Sequence, residues 1–152
     1  MEYGTLEREI HIDAEPDVVF DVVSSPEHLR EWWPDEADYP LTPGGSGRIV
    51  FDQGTDDPKA VAITVVEIDR PRLFSFRWTH PVGEPAATAN SLLVTLELVP
   101  TGTGTTLKLT ETGFREQGWE VAVLEETYRD HENGWDHFLP RLGRYVDKLV
   151  AR

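Results

Sequence analysis

The chain has 152 residues, enough for one domain with a real core. Its formal net charge is −14, from 28 acidic and 14 scattered basic side chains, which argues against nucleic acid or an anionic membrane as a partner. The absence of cysteine excludes disulfides, thiol nucleophiles and zinc–thiolate sites, and no apolar run approaches the roughly eighteen residues that span a bilayer. The start, Met1-Glu2-Tyr3-Gly4, lacks the basic and apolar regions of a signal peptide, so a cytoplasmic location without membrane insertion is expected.

Leu6, Arg8, Ile10 and Ile12 alternate with Glu7, Glu9 and His11, the period of a half-exposed strand. Asp13 then stands as the expected N-cap of a short helix, with Pro16 in its first turn and Val18, Val19, Phe20, Val22 and Val23 following. Ser25 and Pro26 open a second short helix that runs to Trp32-Trp33, where Pro34 stops it. From Pro40 to Gly47 the composition turns to Pro, Thr, Ser and Gly, which predicts a loop.

Five further strands are predicted, over 48–52, 60–68, 73–79, 91–99 and 105–112. Turns at Asp56-Asp57-Pro58, Arg70-Pro71-Arg72 and Thr101-Gly102-Thr103-Gly104 separate them, together with a Pro/Gly-bearing loop. Phe74, Phe76 and Trp78 share one strand face, as do Leu92, Val94, Leu96 and Leu98. The last element is a helix over 125–150. Its stripe of Tyr128, His131, Trp135, Phe138, Leu142, Tyr145 and Leu149 alternates steps of three and four. At 1.5 Å per residue such a helix spans roughly 40 Å, enough to cross the domain. Asn133-Gly134 reads either as a turn that divides this segment or as part of one continuous helix in which Gly134 leaves room for a neighbour or a ligand. Pro140 removes the amide that would bond the Asp136 carbonyl, so in the continuous-helix reading a kink is expected one to two turns after Gly134. Helices segregated to one side of an antiparallel sheet make an α+β domain, and a curved sheet around a long helix leaves a cavity between the layers.

Four segments carry a family resemblance. They are Pro26-Glu27-His28-Leu29-Arg30-Glu31-Trp32-Trp33, Pro71-Arg72-Leu73-Phe74-Ser75-Phe76-Arg77-Trp78, Thr110-Glu111-Thr112-Gly113-Phe114 and Gly134-Trp135-Asp136-His137-Phe138-Leu139-Pro140-Arg141-Leu142. In this order and spacing the chain resembles the START-related, Bet-v-1-like superfamily, and within it the C-terminal domain of the heat-shock-protein-90 ATPase activator. The resemblance implies a helix-grip fold with about six strands around the C-terminal helix, two short helices after the first strand, and residues 1–152 as a single domain. It also implies a hydrophobic cavity. Two departures stand out: 152 residues leave no room for the activator's chaperone-anchoring domain, and Pro140 stands where these proteins carry a helix former. Family members include lipid carriers, aromatic polyketide cyclases, hormone receptors and many bacterial proteins of unassigned role, so the fold does not fix the chemistry.

The residues themselves add little recognisable catalysis. Of the five histidines, His131 and His137 are six apart, about 240° around a helix, and cannot hold one metal from one face. No other His, Asp or Glu set has metal-ligand spacing, there is no Gly-x-Ser-x-Gly nucleophile, and Gly44-Gly45-Ser46-Gly47 lacks the Lys of a phosphate loop. No cofactor or metal is expected. His131 is the best polar candidate, as a ligand-orienting group or general acid/base, against the alternative of a helix-face or satisfied core histidine. Glu111 and Arg77 are weaker candidates, and Arg77 alternates away from the aromatic face of its strand, toward solvent. Trp32, Trp33, Phe51, Phe74, Phe76, Trp78, Leu96, Phe114, Tyr128, His131, Trp135 and Phe138 are the expected ligand-binding positions, with one ring of Trp32-Trp33 at the pocket mouth. Three functions stay open. The first is a binding module for a small hydrophobic or aromatic molecule; the others are a cyclase- or hydrolase-like enzyme and a chaperone-activator-type interaction domain. A second copy of the chain is a further open partner.

Overall fold

Period-two alternation builds the first strand, β1 (Thr5–Ile12), which buries Leu6 and Ile12 and exposes Glu7, Glu9 and His11. The structure, a computed structural model, describes residues 3–52 and 54–151, so Met1 and Glu2 of the signal-peptide reading lie outside it. Two short helices follow, α1 (Pro16–Ser24) and α2 (Pro26–Trp32). Asp13 is not the N-cap of α1. Glu15 holds that position because Pro16, with its fixed φ and missing N–H, takes the first helical place, and Asp13 stays exposed beside His11. Ser25 does occupy the N-cap of α2, but its hydroxyl turns to the Glu27 carboxylate instead of the backbone.

Strands β2 (Glu36–Asp38), β3 (Ser46–Phe51), β4 (Lys59–Asp69), β5 (Leu73–Trp78), β6 (Leu92–Thr101) and β7 (Gly104–Thr112) complete a seven-stranded sheet, in the order β1-β7-β6-β5-β4-β3-β2. Every neighbouring pair is antiparallel. The strand absent from the sequence reading is β2, whose three residues are too few to show a period. It forms because Gly47 lets the chain close on β3: a Cβ there would lie 2.0 Å from the Asp38 carbonyl oxygen. A bulge in β4, where the register steps from Val65 to Glu67, sharpens the twist that curls the sheet.

The C-terminal helix α3 (Val121–Val150) runs unbroken through Asn133-Gly134 and Pro140. Its start lies four residues ahead of the expected Glu125, with Glu120 at the N-cap. The buried stripe is also rotated from the expected one. Leu124, Trp135, Leu139, Leu142 and Val146 form its centre, while Tyr128, Phe138, Tyr145 and Leu149 flank it half-buried. Pro140 falls on the exposed side. The Arg8 guanidinium of β1 pins the helix, reaching Asp136 at 2.6 Å and Glu132 at 3.1 Å, and this bond holds the Asp136 carboxyl below its usual range. The Tyr128 hydroxyl adds a bond to the Thr5 carbonyl.

Helix α1 packs against β5, β6 and β7, placing Phe20 edge-on to Phe74 with centroids 6.4 Å apart. One part of the sheet's inner face is therefore filled by α1. Toward β3 and β4, a gap remains beneath α3.

Candidate functional site

Each strand brings its inward face to this gap in a different way. Leu107, Leu109 and Glu111 alternate inward along β7, so the period that buries two leucines also buries a carboxylate. On β5 the same alternation places Phe74, Phe76 and Trp78 inside. On α3, His131 and Trp135 are four residues apart and share a face.

These elements converge on Glu111, whose side chain is fully buried. The Trp78 indole donates to Oε2 at 2.7 Å and the Trp135 indole donates to Oε1 at 2.9 Å. His131 Nδ1 lies 3.0 Å from both oxygens. A carboxylate taken out of water needs this many donors, because an unpaired buried charge costs several kcal/mol. The three donors come from β5 and α3 and the acceptor from β7, so the cluster bolts helix to sheet.

Beside it lies an apolar cavity of about 270 Å³. Phe51, Val61 and Trp78 form its sheet wall, Trp33 at the end of α2 closes one side, and His131, Gly134, Trp135 and Phe138 form the helix wall. Lys59, Thr79 and Asp130 complete the lining; Lys59 is exposed and held near Asp52 and Asp57. Trp33 sits at the centre of the aromatic contacts, 4.9 Å from Trp78, 5.1 Å from Trp135 and 5.8 Å from Phe51 by ring centroids. A Cβ placed on Gly134 would meet nothing within 4 Å, so this glycine opens the helix wall. Thr79 has φ of 74°, a left-handed conformation that costs a β-branched residue energy. Backbone strain of this kind is concentrated at functional sites.

Of the expected binding positions, Trp33, Phe51, Trp78, His131, Trp135 and Phe138 line the cavity. The other six lie outside its lining, each for a packing reason. Trp32 donates its indole N–H to the Val22 carbonyl at 3.0 Å; Phe74 fills the space under α1; Phe76 backs Trp33 at 5.7 Å. Leu96 is buried in the sheet's centre, Phe114 packs edge-on against Tyr128 and His131, and Tyr128 reaches β1. Arg77 is half-buried and donates to Ser91 Oγ at 3.3 Å. Val61, Lys59, Thr79 and Asp130 escaped the sequence reading, and only Val61 carried a signal, as an apolar residue in a predicted strand. No group of three or more His, Asp or Glu among the described residues is placed to hold a metal, and no helix among them is long and apolar enough to cross a membrane.

A curved antiparallel sheet gripping a long C-terminal helix, with two short helices after the first strand and an aromatic cavity between the layers, defines the helix-grip class of START-related proteins. Solved structures share this fold. A Mesorhizobium loti protein (MLL2253) superposes with a TM-score of 0.73 at 23% identity, over 95% of this chain and 97% of its own. A Nitrosomonas europaea protein (NE0264) does so at 0.77 and 18% identity, over 100% and 99%. The Aha1 dimer of Colwellia psychrerythraea matches at 0.66 and 14% identity, over 93% and 95%. The chain belongs to the family described as Activator of Hsp90 ATPase homolog 1-like protein, which matches residues 13–147. No protein with a curated description matches it.

Proposed function

We propose that the protein is a binding module for a small hydrophobic or aromatic molecule, held between the sheet and α3. The observation that carries this reading is the aromatic cavity itself, which Gly134 leaves open where any larger residue would narrow it. At about 270 Å³ the cavity lies just below the roughly 300–1,000 Å³ of most small-molecule sites, so its occupant is one or two fused rings instead of a long lipid chain. An environment-sensitive apolar dye should bind the native protein with defined stoichiometry. At a hundred times its Kd, a ligand selective for the folded state adds about 2.7 kcal/mol of stability, so the melting temperature should climb with dye concentration. Gly134→Leu should abolish that climb without unfolding the protein. If no apolar compound raises the melting temperature of the wild-type protein, the interior is only a core.

A second reading, a chaperone-activator-type interaction domain, draws on the family and on an exposed apolar patch where α3 begins. Trp119, Val121 and Val123 are exposed there, Val121 at 75%. Under that reading the protein stimulates an Hsp90 ATPase and Val121→Asp removes the stimulation. Association with a second copy through the same patch would be read as a doubled mass in sedimentation.

A further inference from the structure

The buried cluster fixes the chemistry of the one polar ring that lines the apolar wall of the cavity. A carboxylate only accepts hydrogen bonds, and each Glu111 oxygen already accepts an indole N–H. His131 Nδ1, 3.0 Å from both oxygens, must therefore be the nitrogen that carries the proton. In the neutral ring, Nε2 is then left with a lone pair. Among the described residues Nε2 has no hydrogen-bond partner, and the only side-chain polar atom that is both sealed and unpartnered is Nδ1 of His80. His131 Nε2 is accordingly accessible, on a ring that lines the cavity and is wedged between Trp78, at 5.1 Å, and Phe114, at 5.6 Å.

The geometry points to a hydroxylated aromatic ring as the occupant, its O–H donating to His131 Nε2 while the ring lies among Trp33, Trp78 and Trp135. This rests on the reading of the cavity as a small-molecule site. Two features select a neutral hydroxyl over a carboxylate. An acceptor nitrogen gives a carboxylate nothing to bind, and the Glu111 charge behind the ring repels an anion, in a chain that already carries −14. Glu111 acts through His131 and does not reach the ligand, so it is a positioning residue.

The test uses four probes of one ring size on the intact protein: naphthalene, a naphthol, its methyl ether and the matching naphthoate. The three cavity tryptophans supply the fluorescence signal. The naphthol should bind about tenfold or more tighter than naphthalene, as one added hydrogen bond to a held acceptor allows. The methyl ether, which keeps the oxygen and loses the proton, should fall back to naphthalene, and the naphthoate should bind most weakly. In His131→Phe the naphthol preference should vanish while naphthalene binding remains. Should that variant not fold, the wild-type series decides alone. Equal binding of naphthol, ether and naphthalene overturns the inference and leaves the cavity reading intact, and a naphthol preference that survives in folded His131→Phe does the same. Failure of all four probes to bind overturns both.

Discussion

Replacing Glu111 by Gln tests whether the cluster holds helix and sheet together. The substitution keeps the shape and removes half the accepting capacity: one oxygen becomes an NH₂ donor. Trp78, Trp135 and His131 all donate to Glu111, so at least one indole N–H must then face another donor. Leaving a buried donor unsatisfied costs about 1–3 kcal/mol, and hydrogen bonds to a charged acceptor, worth about 1.5–3 kcal/mol each, become neutral ones. The sum is about 3–5 kcal/mol, a large share of the roughly 5–15 kcal/mol that holds a domain together. At about 2–4 °C per kcal/mol for a chain of this size, the melting temperature should fall by about 10 °C. Urea unfolding followed by tryptophan fluorescence gives the midpoint. Glu125→Gln, whose half-exposed carboxylate lies 4.0 Å from Arg129, should move it by less than about 0.5 kcal/mol. A Glu111→Gln cost below about 1 kcal/mol, with the same slope, would refute the view that the carboxylate is a structural bolt.

Gly134→Ala should stabilise the fold by about 1 kcal/mol, because the helix is continuous and the new methyl meets nothing; a loss in the unfolding midpoint would revive a turn at Asn133-Gly134. Thr79→Gly should raise stability by up to about 1 kcal/mol, the relief of a left-handed β-branched residue less the entropy of glycine, as read by calorimetry. Burial pushes the His80 imidazole below its ordinary 6.5, so the unfolded chain takes up that proton more readily. The stability it contributes is whole above pH 6.5 and is lost as pH falls from there through the folded value, a slope that His80→Gln should flatten in urea titrations at successive pH values.

Much of the fold was legible because its signals are periodic. Alternation along β1, β5, β6 and β7 reports which side is buried, and those faces appear in the structure. The three-four spacing of α3 reports the helix and its Trp135 and Leu142, while the buried centre lies rotated toward Leu139 and Val146. What escaped lacks a period or depends on a neighbour. Strand β2 exists only through its pairing with β3, and the Val121-Ala122-Val123-Leu124 opening of α3 exposes its first three residues. The site was half legible. His131 lies on the helix stripe, and the leucine alternation of β7 extends to Glu111, yet nothing in the sequence says that two strands and a helix bring both to one point. Phe74 and Leu96 share a face type with Trp78, but α1 covers the sheet beside Phe74, and only packing separates filler from wall.

The Glu111 bolt also bears on how the domain breathes. Because its donors sit on β5 and α3 and its acceptor on β7, no one of these elements can lift away without stranding a charge in a poor solvent. Small openings at this end are thereby suppressed, and the three elements come apart together. The indole protons of Trp78 and Trp135 should exchange with deuterium only at the pace of global unfolding, whereas the exposed indole of Trp119 should exchange at once.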